Sequence, residues 1–154
     1  YCEKVMEELS SNNENFGIFS FDLNNLKKIN DNMGHTYGDD LISGFARILK
    51  ETFEKEAVVG RMGGDEFIVI IRSDDGRIDY ETFRKKLQHV IDEYNHKESR
   101  FKYSVACGYA DSTEAGDNNG NVDARQIYSM ADDRMYVHKR KIKEKIKQEK
   151  SHNE

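Results

Sequence analysis

Three acidic side chains in two short segments are the first candidates for chemistry. Asp22 ends an apolar run that begins at Phe16, and Asp65 and Glu66 follow the glycine pair Gly63-Gly64. If the strand that ends on Asp22 neighbours the strand that begins at Phe67, these carboxylates meet at one sheet edge. Clustered carboxylates repel one another unless a cation lies among them, and all-oxygen donors suit a hard divalent ion. Magnesium held by two or three protein oxygens keeps positions open for substrate phosphates. A pair of such sites can activate a hydroxyl and stabilise a departing pyrophosphate. Taken alone, the hairpin reads equally well as a solvated acidic turn.

A second segment, Asp22-Leu23-Asn24-Asn25-Leu26-Lys27-Lys28-Ile29-Asn30-Asp31, passes directly from a strand end into a helix start. Free backbone N–H groups at such a junction attract phosphate, and Lys27 adds a point charge. An ordinary capped surface helix has the same composition. Asn30 and Asp39 form a third group. A carboxylate can accept from both N1–H and the N2 amino group of guanine, and an amide can pair with O6 or N3. Adenine lacks that donor pair, so the combination favours guanine. The basic run Lys139, Arg140, Lys141, Lys143, Lys145, Lys147 suits a solvated helix end, where cations complement the dipole. Within it, Lys139 and Lys143 lie one turn apart on one face. The five histidines show no metal-ligand spacing, and Cys107 falls in an apolar strand as a buried thiol. The sequence contains no serine nucleophile elbow, Walker loop or zinc pattern.

Several elements must position these residues. Apolar spacing predicts a short helix over 2–11 and a buried strand over 16–21. Asn24 or Asn25 caps a short helix that Gly34 stops, and a longer helix starts at Gly38-Asp39-Asp40 with Leu41, Ile42, Phe45, Ile48, Leu49 and Phe53 on one face. Strands open at Val58 and Phe67, joined through the Gly63-Gly64 turn, and the continuous run 67–71 marks a central strand covered on both faces. Ser73-Asp74-Asp75-Gly76 closes it. A helix over 80–94, a strand over 101–110 and an exposed loop over 111–122 follow. The last helix starts near Asp123 and leads into a Lys-rich tail, where Ile142 and Ile146 signal one or two further turns. A hairpin with helical crossovers on either side predicts an α+β sandwich with a mostly antiparallel sheet.

The bulk numbers fit one domain over residues 1–154. The chain combines 36% hydrophobic and 34% charged residues with a net charge of -5, which suits a globular protein and opposes general nucleic-acid binding. Two cysteines without metal spacing, no secretion signal and no apolar run near the roughly 20 residues that span a bilayer lead us to expect a soluble, cytoplasmic domain without membrane contact. A longer parent protein could still be membrane-anchored.

The ordered set formed by Asp22-Leu23-Asn24-Asn25-Leu26-Lys27, Asn30-Asp31, Gly34-His35, Gly38-Asp39, Arg61-Met62-Gly63-Gly64-Asp65-Glu66-Phe67, Ser104-Val105-Ala106-Cys107-Gly108, Ala131-Asp132, Met135-Tyr136 and Lys139 resembles the GGDEF domain of diguanylate cyclases over residues 16–143. The resemblance implies a palm-like fold, ferredoxin-like or nucleotide-cyclase-like, and condensation of two GTP into cyclic di-GMP with release of two pyrophosphates. It implies that Asp22, the Leu23 carbonyl, Asp65 and Glu66 hold Mg2+ (or Mn2+), with Glu66 at the attacking 3′-hydroxyl and Asp65 beside it as catalytic groups. Asn30 and Asp39 read guanine. Lys27, Lys139 and Lys143, with backbone near Asn25 and Leu26, hold the triphosphate, and Gly63 and Gly64 admit the nucleotide close to the backbone. Each domain holds one GTP, so a homodimer is required.

Some positions depart from the family pattern. Asn24 replaces a common Asp and Leu26 a common Phe. Lys143 stands where an Arg is usual and Ile142 where a Gly is usual, and a lysine lacks the bidentate guanidinium fork. Glu54-Lys55-Glu56-Ala57 occupies the place of the usual Arg-x-x-Asp, so no product-inhibition site is expected. The family's usual opening motif is missing, so the domain is expected to be a fragment of a longer sensor protein, with a core at 16–143 and a Lys-rich tail at 144–154. Two rivals stay open: a catalytically weak or inactive domain that binds GTP as a regulatory module, and a structural dimerisation domain that binds no nucleotide.

Overall fold

The computed structural model describes residues 1–53, 57–75 and 77–153. The elements in chain order are α1 (Cys2–Ser11), β1 (Phe16–Leu23), α2 (Leu26–Met33), α3 (His35–Thr52), β2 (Val58–Arg61), β3 (Glu66–Arg72), α4 (Tyr80–Lys97), β4 (Val105–Asp111) and α5 (Ala124–His152), with a short 3-10 turn at Ser112–Glu114. The strands form one sheet in the order β2-β3-β1-β4, and every neighbouring pair is antiparallel. This is the expected α+β, palm-like arrangement.

Strand alternation assigns β1 to two cores. Phe19, Phe21 and Leu23 face α3 and α4, where they pack with Phe45, Leu49, Leu87 and Ile91. Phe16 and Ile18 face α1 and α5, where they meet Val5, Leu9, Ile127 and Ala131. Because β1 and β3 are covered on both faces, their sequences read as unbroken apolar runs. Aromatic edges lock the first layer, with Phe45 5.1 Å from Phe67 and Phe19 4.9 Å from Phe53. On the second face, Ser20 and Asp22 follow Ile18 toward α5, so the chemistry-bearing end of β1 shares a face with the last helix.

Five local expectations change. α3 starts at His35, three residues ahead of Gly38. Gly34, at φ 91°, both closes α2 and opens α3, so a single glycine separates the two helices. Asn25 is the N-cap of α2 by position, at φ 69°, but its side chain makes no capping bond. β4 begins at Val105 rather than 101, because Asn95 binds both backbone groups of Tyr103, donating to its carbonyl and accepting from its N–H. The segment after β4 is also less open than its composition suggests. Ser112 is buried and its hydroxyl accepts from the Phe16 N–H at 3.0 Å. Finally, the Lys-rich stretch continues α5 as helix to His152.

Candidate active site

Asp22 and Glu66 are directly opposed in the β1–β3 register. Both lie on the α5 face, since Ile18 and Ile68, which share their parity, pack there. Directly opposed side chains on one face have Cβ atoms roughly 5 Å apart, close enough for like charges to repel. Asp65 is joined to the same edge through its backbone, its carbonyl accepting from the Leu23 N–H at 2.8 Å. Glu66 is the group that registers this crowding. Desolvation raises its pKa above the ordinary carboxylate value, and the charges of Asp132, Asp22 and Asp65 raise it further.

The helix α5 answers with one cation. Lys139 Nζ donates to Asp22 Oδ2 at 3.0 Å across a separation of 117 residues. That bond raises the pKa of Lys139 above its ordinary value. Two turns earlier on the same helix, Asp132 Oδ1 accepts from the Ser20 hydroxyl at 3.1 Å. Asp132 was not singled out in the sequence for a role. Its only cue was its place in the Ala131-Asp132 pair, seven residues before Lys139.

A cavity of about 600 Å³ opens beside these groups, lined by Asp22, Leu23, Asn25, Leu26, Lys27, Asp65, Lys139 and Lys143, among others. It gathers carboxylates and ammonium groups around one space. Ile142 and Ile146 of α5 form part of its wall. Asn24 also lines the cavity, its amide donating to the Ser104 hydroxyl at 2.9 Å. Five expected site residues are not among those lining the cavity: Glu66, Asn30, Asp39, Gly63 and Gly64. Asn30 of α2 packs against Gly38 of α3, the residue before Asp39, where a Cβ on Gly38 would stand 1.8 Å from Asn30 Oδ1. A glycine beside Asp39 is thus what leaves room for the Asn30 amide.

The hairpin between β2 and β3 is held by Arg61, whose guanidinium donates to the carbonyls of Gly63 and Gly64 at 2.8–3.1 Å. Met62 N–H donates to the Glu66 carbonyl at 2.8 Å and closes the loop. Neither glycine takes a positive φ, and a Cβ at Gly64 would meet nothing within 4 Å. Internal packing and backbone strain therefore do not demand glycine there. Glu54, Lys55 and Glu56, on which the expected absence of a product-inhibition site rests, lie outside the described residues.

The donor set is chemically suited to a hard divalent cation, since it offers carboxylate oxygens without sulfur or imidazole. Among the described residues, no three His, Cys, Asp or Glu side chains are grouped so as to hold a metal ion together. The acids share an edge without converging, and Lys139 neutralises the innermost of them. His35, His138 and the other histidines take no part. The His138 ring instead accepts the Cys107 N–H at 3.0 Å.

The family model for the diguanylate cyclase GGDEF domain matches residues 1–145. The chain belongs to that family. Among curated relatives, the signalling protein YkoW of Bacillus subtilis is 31% identical over 150 residues, covering 96% of this chain and 18% of YkoW. The probable diguanylate cyclase DgcJ of Escherichia coli is 30% identical, covering 89% of this chain and 26% of DgcJ. Diguanylate cyclase DgcS of Shewanella oneidensis is 29% identical, covering 77% and 37%. The GGDEF chain thus spans less than two fifths of the length of these relatives. Among solved structures, a microbial GGDEF domain studied for its interaction with cyclic di-GMP superimposes with a TM-score of 0.68 at 27% identity, covering 90% of this chain and 84% of that one. The coiled coil and GGDEF domain of DgcB from Caulobacter crescentus matches with a TM-score of 0.68 at 19% identity, covering 89% and 71%, which bears on the fold alone. No helix among the described residues is long and apolar enough to cross a membrane.

Proposed function

We propose that this domain condenses two GTP into cyclic di-GMP, releasing two pyrophosphates, with one GTP on each of two facing copies. The observation that carries the reading is the opposition of Asp22 and Glu66 under α5, with Asp65 beside them and Lys27, Lys139 and Lys143 around one cavity. Family membership and the relatives named for this activity support it.

In the reaction, the 3′-hydroxyl of one GTP attacks the α-phosphorus of the other. The new O–P bond forms as the bond to the β-phosphate oxygen breaks, and the proton passes to the Glu66 carboxylate. Glu66 suits this task because desolvation, and then the neighbouring acids, hold its proton affinity above that of an ordinary carboxylate. Asp22, Asp65, Glu66 and the Leu23 carbonyl would hold Mg2+ or Mn2+, which would supply charge neutralisation and acidify the attacking hydroxyl. Lys27, Lys139 and Lys143 balance the triphosphate, assisted by the backbone at Asn25 and Leu26. Asn30 and Asp39 select guanine from the α2–α3 junction. Gly64, open on its Cβ side, leaves room for a nucleotide to approach the hairpin. Residues 16–143 form the proposed catalytic core.

The alternative is a regulatory module that binds GTP without turnover, and Lys143 and Ile142 in place of the family's usual Arg and Gly are what favour it. The deciding experiment fuses the domain to a dimeric coiled coil, adds GTP and Mg2+, and analyses products by mass. Cyclic di-GMP that disappears in Glu66→Gln is the expected result. GTP retained without turnover by the forced dimer sinks the enzyme in favour of the module.

A further inference from the structure

Asp22 is 5% exposed, and its carboxylate is held by Lys139 at 3.0 Å. In the reading above these residues have separate duties, Asp22 toward the divalent cation and Lys139 toward the triphosphate. Here they satisfy each other. A buried carboxylate needs a counter-charge, and a single ammonium meets that need while no divalent ion is bound. Two cations on one buried carboxylate repel, so a metal that takes an Asp22 oxygen loosens the hold of that carboxylate on the ammonium.

The surroundings allow the side chain to move while its backbone stays fixed. Asp132 ties α5 to Ser20 at 3.1 Å, and His138, adjacent to Lys139, accepts from the β4 edge at Cys107 at 3.0 Å. The ammonium meanwhile borders the cavity of about 600 Å³ that Lys27 and Lys143 also line. Its second destination is therefore within reach of an unbranched four-carbon stem.

We propose that Lys139 is a resident stand-in for the metal: it occupies Asp22 until the cation arrives and then passes to the phosphates. The inference rests on the functional reading above. Its consequence is that the wild-type domain holds a divalent ion poorly by itself and well together with nucleotide, since the nucleotide offers the displaced ammonium a new partner.

The test measures Mn2+ binding to the isolated chain without nucleotide, with free Mn2+ read by electron paramagnetic resonance. Lys139→Met removes the competitor and is expected to bind Mn2+ about tenfold more tightly than wild type, the scale of one charge-assisted hydrogen bond. Lys139→Arg keeps a cation on Asp22 and is expected to bind no more tightly than wild type. GTP binding in the presence of Mn2+, measured by equilibrium dialysis, should weaken in Lys139→Met, so the one substitution moves the two affinities in opposite directions. If Lys139→Met does not melt cooperatively, Lys139→Gln replaces it with the same expectation. Equal or weaker Mn2+ binding in a folded neutral variant overturns the stand-in role and leaves the nucleotide reading intact. Tighter Mn2+ binding together with no GTP binding by wild type upholds the occupation of Asp22 by Lys139 and overturns both its transfer to phosphates and the nucleotide reading.

Discussion

Asp22 and Glu66 oppose each other on neighbouring antiparallel strands, two acids in one cross-strand pair on the face that α5 covers. Such a pair works against folding, since like charges directly opposite destabilise a sheet. The edge is therefore arranged for something other than its own stability, and Lys139 offsets only the Asp22 half.

The first prediction follows from that repulsion. Glu66→Gln should stabilise the metal-free fold by about 0.5 kcal/mol while abolishing product formation. The pKa of Glu66 is raised in the folded state, so the folded protein binds the proton more tightly than the unfolded chain does. Its contribution to stability is thus fully present below the ordinary carboxylate value of 4.5 and is lost as pH rises through the higher folded value. Urea titrations of wild type and variant should diverge as pH climbs through that window. A variant less stable than wild type at neutral pH would contradict the account.

On the proposed function, Asn30 and Asp39 select the base. Asp39→Ser should cut the preference for GTP over ATP by about tenfold or more, because a site built to accept from guanine loses its acceptor. Competition dialysis with the two nucleotides reads this directly. An unchanged ratio would show that another residue reads the base.

The placement of α5 depends on Gly108. A Cβ there would lie 2.0 Å from the Ala131 carbonyl oxygen and 2.2 Å from the Met135 nitrogen, both backbone atoms. Gly108→Ala should destabilise the fold by about 3 kcal/mol, the upper part of the range for overpacking. It should also weaken GTP binding, since the helix it displaces carries Lys139. Thermal melts combined with nucleotide titrations test both effects. A stable variant with unaltered binding would show that α5 sits less tightly on β4.

Both thiols are expected to be inert. Burial pushes Cys107 up to about 12 and raises Cys2 as well. At pH 8 neither forms much thiolate, and the thiolate is the reactive species. Labelling with an aromatic disulfide reagent should be slower in the native protein than in denaturant, on the order of 100-fold. Cys107 is half-buried, where the sequence leads us to expect a buried thiol, and rapid native labelling of it would overturn the expected inertness.

Much of this architecture was legible in the sequence because the two central strands are covered on both faces. Their unbroken apolar runs marked β1 and β3, and placing these side by side was enough to expect Asp22 and Glu66 at one edge. The Ser20–Asp132 and Asp22–Lys139 pairs were not legible as contacts, since they depend on the line along which α5 crosses the sheet. The start of β4 was misread because an apolar run cannot reveal that Asn95 takes the backbone groups of Tyr103 out of the ladder. The end of α5 was underestimated for a related reason. Its lysines look like a solvated tail, while helical continuity rests on the absence of any breaker and on isoleucines spaced at one turn.

The two contacts of α5 with β1 also work as a pair of rulers laid side by side. Ser20 and Asp22 are two residues apart, about 6.7 Å along a strand, and their partners Asp132 and Lys139 are seven apart, about 10.5 Å along a helix. Both marks coincide only at one oblique crossing and one helical phase. A single residue inserted between 132 and 139 would keep every side chain named here yet swing Lys139 about 100° around the helix, off Asp22 and away from the cavity. In this domain the count of residues between two positions is as much a part of the site as the residues themselves.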